Sequence, residues 1–162
     1  MTRVFLSLGS NEGDRLNMLC QAAQMLGGSF NLLALSRVYE TKPWGVTEQP
    51  NFLNMCVAVD AECGAFEVLE RINEIEALLG RLRKTRWGQR TIDIDIIFFG
   101  NSIIESDRLT VPHKYMQQRA FVLVPLCDIA ADFMHPLLNK TTAELLAELP
   151  KEDMKCLGYL PL

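Results

Sequence analysis

No stretch of this sequence is long and apolar enough to cross a membrane, and the apolar run over residues 4–8 is too short for a signal peptide. Proline, glycine and serine nowhere gather into a linker, and no internal repeat interrupts the chain. A string of modules is thereby excluded. Positive charge is also in short supply: 16 Lys and Arg stand against 20 Asp and Glu, a net charge of -4. That balance removes the electrostatic footprint expected of a nucleic-acid partner. Cys20, Cys56, Cys63, Cys127 and Cys156 form an odd, scattered set without a C-x-x-C pair. They argue against a zinc site or a disulfide framework and for reduced thiols in a cytoplasm. The common catalytic signatures are missing too. "GSNEGDR" follows a strand but lacks the G-x-x-x-x-G-K-[ST] of a P-loop, and neither G-x-S-x-G nor a kinase-type glycine loop occurs. What remains is one compact cytoplasmic domain of 162 residues, 49% of them hydrophobic, enough for a sizeable core.

Hydrophobic periodicity predicts strands near residues 3–8, 30–40, 52–61 and 90–100. One helix carries Leu16, Leu19, Ala23 and Leu26 and is predicted to end at Gly27-Gly28. A second helix over residues 65–80 lines up Val68, Leu69, Ile72, Ile75 and Leu79. After these come a short strand at 102–104, a helical stretch from Arg119, and a last helix capped by Thr141 or Thr142. The order β, α, β, β, α, β predicts an α+β fold. It is the ferredoxin-like arrangement of helices on a largely antiparallel sheet, with C-terminal additions.

Within the strand "RTIDIDIIFFG", Asp93 and Asp95 share one face while Ile92, Ile94 and Ile96 share the other. Their Cα atoms lie about 6–7 Å apart at the rise of a strand. Side by side, the carboxylates repel one another unless a cation sits between them. An edge strand showing its polar face to water would explain simple alternation. The following "IIFF", however, is apolar on both faces and suggests a central position. Two carboxylates at the entry of such a strand suit Mg²⁺, which takes its remaining ligands from water and phosphate.

Directly upstream, "GRLRKTRWGQR" packs Arg81, Arg83, Lys84, Arg86 and Arg90 into eleven positions. A solvated helix end accounts for part of this run. Acid and base placed together also suit a polyphosphate, with metal on the carboxylates and guanidinium forks on the phosphate oxygens. In "FLN", Phe52 and Asn54 share a strand face, which fits a flat heterocycle as well as it fits an ordinary core. "RLTVPHKYMQQRAF" adds Arg108, His113, Arg119 and Phe121, whereas His135 sits in a loop-like "MHPLL" with nothing to recommend it.

Together these stretches resemble the 6-hydroxymethyl-7,8-dihydropterin pyrophosphokinases, from "LSLGSNEGDR" through "YETKPWGVTEQPNFLN" and "RWGQRTIDIDI" to "LTVPHKYMQQRAFVLVPL". The resemblance covers roughly residues 4–127. It implies pyrophosphate transfer from ATP, as co-substrate, to the pterin hydroxymethyl group with two Mg²⁺ ions. Asp93 and Asp95 match the metal ligands. Thr41, Trp44, Phe52, Asn54 and Phe121 match the pterin side. Asn73, Glu76, Arg83, Trp87, Arg90, Ile96, Arg108, Thr110, His113 and Arg119 match the ATP side, and Arg83, Arg90 and Asp95 are the catalytic candidates. The resemblance further implies a single pyrophosphokinase domain over 1–162, expected as a monomer free of nucleic acid and membrane. The segment 82–89 is expected to close over the triphosphate as a lid. A nucleic-acid-binding ferredoxin-like module and a metal-dependent phosphodiesterase or nuclease are the competing readings.

Overall fold

A computed structural model describes residues 1–42, 50–80 and 92–162. Trp44, Arg83, Trp87, Arg90 and the lid expected over 82–89 lie outside the described residues. The elements are β1 (Thr2–Ser10), α1 (Arg15–Ser29), β2 (Asn31–Leu35), β3 (Val38–Thr41), β4 (Phe52–Ala61), α2 (Ala65–Gly80), β5 (Asp93–Phe99), β6 (Ile104–Glu105), β7 (Thr110–Val111), α3 (Ala120–Ala130), α4 (Thr142–Ala147) and β8 (Lys155–Gly158). The main sheet runs β5-β1-β4-β3-β8, with β2 also on β4, and its pairings are antiparallel. The result is a mixed fold of helices on an antiparallel sheet.

Alternation along the strands sorts the core into two layers. Val4, Leu6, Leu8, Met55, Val57, Ile94 and Ile96 meet Leu19, Leu26, Val68, Ile72 and Leu79 of α1 and α2 on one face. On the other face Phe5, Cys56, Ala58, Ile97 and Phe98 meet Val122, Leu123 and Leu126 of α3, with Leu145 of α4 behind. Each fully buried aliphatic side chain here contributes about 1.5–3 kcal/mol relative to exposure.

Four expectations are corrected. The strand expected over 30–40 is two strands, because Ser36 intervenes. Its hydroxyl accepts the Cys56 N–H at 2.8 Å in place of a ladder carbonyl and donates to the Arg37 carbonyl at 2.8 Å. Helix α1 continues through Gly27 and Gly28 to Ser29, where the Phe30 N–H bonds the Leu26 carbonyl at 2.8 Å. Packing of Leu26 in the core outweighs the weak helical preference of two glycines. Strand β5 is marginal in the sheet, not central. A register shift opposite Phe5/Leu6 makes Ile97 an extra residue, so that Ile97 and Phe98 both enter the α3 layer. The short strand expected at 102–104 is Ile104–Glu105, which pairs with Thr110–Val111. Strand β8 was not anticipated at all, being a four-residue exposed margin strand.

Other features follow the sequence closely. Thr141 caps α4 in a reciprocal capping box with Glu144. Asp128 of α3 accepts from the Arg37 backbone and guanidinium and from the Tyr39 hydroxyl, which ties α3 to β3. Desolvation works against this carboxylate, but the bonds from Arg37 and Tyr39 hold it below its ordinary pKa.

His135, without a functional signal, is a structural residue. It is buried, packs edge-on against Phe98 at 5.6 Å, and accepts the Leu137 and Leu138 N–H groups on Nδ1 at 3.1 Å each. Burial lowers its pKa below the ordinary 6.5. The unfolded chain therefore takes up this proton first. Stability present above that value is lost as pH falls below it, until the folded imidazole is protonated as well. We expect stability to decline between pH 7 and 5 more steeply in the native chain than in His135→Asn, whose amide keeps an acceptor. The difference is bounded by about 1.4 kcal/mol per pH unit for one proton. Urea melts at the two pH values measure it, and equal slopes would remove His135 from the explanation.

Candidate active site

Toward the Ser10 end of β1, the α3 face of the sheet is no longer covered by a hydrophobic layer. The same alternation that delivers Phe5, Cys56 and Ile97 to the core delivers Ser7, Gly9, Asn54, Phe52, Asp95 and Asp93 beyond it. They meet Thr41 at the end of β3, Lys42 just after it, and Arg119 and Phe121 from the start of α3 around a cavity of about 280 Å³. The site is thus the open continuation of the second core.

Cross-strand register places the parts. Ser7 lies opposite Asp95 and Cys56, and Gly9 opposite Asp93 and Asn54, while Thr41 faces Phe52. The Asn54 amide nitrogen donates to the Thr41 hydroxyl at 2.6 Å, fixing the amide plane inside a buried pair. Gly9 makes this possible. A Cβ there would stand 2.9 Å from the Asn54 amide oxygen and 3.8 Å from the Phe52 ring. The amide oxygen so placed suits the donor edge of a heterocycle. Cys56, fully buried in the second core, is no nucleophile: burial drives its thiol far above the ordinary range, against the opposing hydrogen bond from Ser7.

The Arg119 guanidinium lies 5.6 Å from the Tyr115 ring centroid and 5.6 Å from that of Phe121. Two aromatic faces thus hold one cation beside the carboxylates. A second cavity of about 250 Å³ is lined by Leu69, Ile94, Asp95, Ile96, Arg108, Leu109, Thr110, His113, Lys114 and Tyr115. Asp95 belongs to both cavities. The His113 Nδ1 accepts the Tyr115 N–H at 3.3 Å, so a neutral ring carries its proton on Nε2 as a donor. Burial lowers the His113 pKa, with Asp95 opposing and Arg119 adding to the shift.

The structure therefore gathers Asp93, Asp95, Thr41, Phe52, Asn54, Arg119 and Phe121 at one cavity, and Asp95, Ile96, Arg108, Thr110 and His113 at the other. Asn73 is exposed on α2 and lines neither. Glu76 lines neither, and its carboxylate accepts the Ile94 N–H at 2.9 Å, between the two aspartates. Arg108 stacks on Phe66 at 5.4 Å and lies 3.6 Å from Glu70, exposed. Ser7, Gly9, Lys42 and Lys114 line the cavities without having been singled out. Only the alternation from Phe5 through Ser7 to Gly9 hinted at the first two, and it needed the register to be read.

The carboxylate pair fits Mg²⁺. Among the described residues no third His, Cys, Asp or Glu gathers into a three-ligand cluster. Two carboxylates with room beside them are what an ion completing its shell from water and phosphate requires. Fold and cavities define a domain with two adjoining cavities that share one acidic residue, Asp95.

The chain belongs to the 7,8-dihydro-6-hydroxymethylpterin-pyrophosphokinase family, whose model matches residues 5–131. It is 44% identical over 151 residues to the 2-amino-4-hydroxy-6-hydroxymethyldihydropteridine pyrophosphokinase of Methylorubrum extorquens, covering 92% of this chain and 94% of that one. The enzyme of the same name from Aquifex aeolicus is 34% identical, with 97% and 98% covered. Among solved structures, Plasmodium falciparum HPPK-DHPS superposes with a TM-score of 0.72 at 17% identity and shares the fold. This chain spans 90% of its own length there and only 44% of that longer chain.

Proposed function

We propose that the chain transfers the pyrophosphoryl group of ATP to the hydroxymethyl oxygen of 6-hydroxymethyl-7,8-dihydropterin, in folate biosynthesis. The hydroxyl oxygen forms a bond to the β-phosphorus, the bond from that phosphorus to the α–β bridging oxygen breaks, AMP leaves, and the hydroxyl proton is released. The observation that carries this reading is Asp95, shared by a ring-sized cavity and a cation-lined one. The reacting groups of two substrates would meet there.

Phe52 and Phe121 sandwich the pterin, and Asn54, held by Thr41, reads its edge. Trp44 adds to this side. Arg108, Thr110, His113 and Arg119 serve the nucleotide, with His113 donating from Nε2 and Arg119 countering phosphate charge. Asn73, Arg83, Trp87, Arg90 and Ile96 complete the ATP side, with Arg83 and Arg90 meeting the transferring group. Glu76 acts through its bond to the strand between the aspartates. Asp93 and Asp95 would hold two Mg²⁺ ions, which supply charge neutralisation to the triphosphate. Phosphoryl transfer of this kind needs chiefly positioning and electrostatic stabilisation.

The strand order β5-β1-β4-β3, with α1 and α2 on one face, supports the ferredoxin-like reading of the core. We read residues 1–162 as one pyrophosphokinase domain acting as a cytoplasmic monomer. No described helix is long and apolar enough to cross a membrane. Incubation with Mg-ATP and the reduced pterin tests the function, with AMP and pterin diphosphate as the expected products. Formation of ADP, or cleavage of a nucleic acid in place of transfer, would overturn it.

A further inference from the structure

We infer that Arg15 is a positioning residue for the pterin, acting from the side of the sheet opposite the cavity. The motif "GSNEGDR" is no phosphate loop, yet its last residue has a specific placement. Gly13 takes a positive φ of 67°, and Asp14 caps α1 by accepting the Asn17 N–H at 3.1 Å. That turn starts α1 with Arg15 directed at the paired ends of β3 and β4. One nitrogen, Nη1, donates to Glu40 Oε2 at 3.0 Å and to the Asn51 carbonyl at 2.7 Å.

The two acceptors adjoin the two residues that matter. Glu40 precedes Thr41, and Asn51 precedes Phe52, and Thr41 and Phe52 are cross-strand partners lining the cavity. Alternation sends the Glu40 side chain to the face opposite Thr41. The guanidinium thus ties the strand ends together from behind, while Thr41, Phe52 and Asn54 face the cavity. The ion pair is half-buried, with side chains 29% and 25% exposed, and the bond to the carbonyl, nearer the surface, is charge-assisted. No residue of the nucleotide cavity takes part in it. Losing the tie would let the Phe52 ring and the Thr41–Asn54 pair drift relative to one another, and a small misplacement is costly where a ring must fit between fixed groups.

This inference rests on the pterin occupying the Phe52 cavity, so the experiment tests both. Calorimetry on the full chain measures the reduced pterin and a non-hydrolysable Mg-ATP analogue against the native protein, Arg15→Ala, Arg15→Lys and Phe52→Ala. Arg15→Ala is expected to weaken the pterin about tenfold and the nucleotide less than about twofold, the split that local misplacement produces. Arg15→Lys keeps the charge on a shorter reach and should recover part of the loss. If Arg15→Ala fails to fold, the lysine variant decides, with a loss confined to the pterin. Equal losses for both ligands, or a lowered melting temperature with unchanged affinities, would overturn the positioning role. If Phe52→Ala leaves pterin binding intact, the site reading itself fails. If Phe52→Ala weakens it and neither Arg15 variant does, only the present inference fails.

Discussion

Asp95→Ala is expected to fold normally and to lose about 10²-fold or more of its turnover, the scale of several kcal/mol of transition-state stabilisation. The fold should survive because Asp95 is exposed, and because its removal relieves repulsion from Asp93 on the same strand face. Neighbouring Ile94 and Ile96, which hold the strand in the core, are untouched. Activity should collapse because Asp95 is the residue common to both cavities. Asp93→Ala should behave similarly. Turnover with saturating Mg-ATP and pterin, compared with the thermal midpoint, decides it. Near-normal magnesium-dependent turnover in a folded variant would sink the assignment.

Truncating either aromatic plate is expected to weaken pterin binding by about 1–3 kcal/mol, the usual scale for a base stacked on an aromatic ring. The two variants should nevertheless differ. Phe52 comes from the first position of β4, so Phe52→Ala should affect the pterin alone. Phe121 lies in the first turn of α3, packs against the second core and has the Arg119 guanidinium over its face. Phe121→Ala should therefore lower kcat as well, by releasing the cation proposed to counter phosphate charge. Pterin and nucleotide titrations, with steady-state kinetics, separate the cases. Equal weakening of both ligands by Phe52→Ala would place the ring elsewhere.

Much of this site could be read from the sequence because the chemistry is written in short local patterns. The alternation of Asp93 and Asp95 is local, as is the spacing of Phe52 and Asn54, and α2 has the bounds expected from the periodicity over 65–80, with Val68, Ile72, Ile75 and Leu79 buried and Leu69 half-buried. What could not be read depends on pairing between distant segments. Ser7 and Gly9 become site residues only through their partners on β4 and β5. The apolar "IIFF" suggested a central strand, whereas β5 ends the sheet and is apolar because both its faces are covered, Ile96 and Phe99 by the first layer and Ile97 and Phe98 by the second. Arg15 gave no signal, since its acceptors lie 25 and 36 residues away. Asn73 and Glu76 were placed by likeness to a family, and only Glu76 has a described contact near the aspartates.

The shift at Ile97 has a bearing on quality control during synthesis. Phe98 can reach the α3 layer only if β5 aligns with β1 in the one register that also sets Asp95 against Ser7. A slip by one position would turn the carboxylates inward and the isoleucines out, a misfold that exposes apolar surface and buries unpaired charge. Such a chain would be open to proteolysis and aggregation before it could persist as a well-packed impostor. Sealing the second hydrophobic layer and setting the acidic pair against Ser7 and Gly9 thus follow from one and the same backbone register.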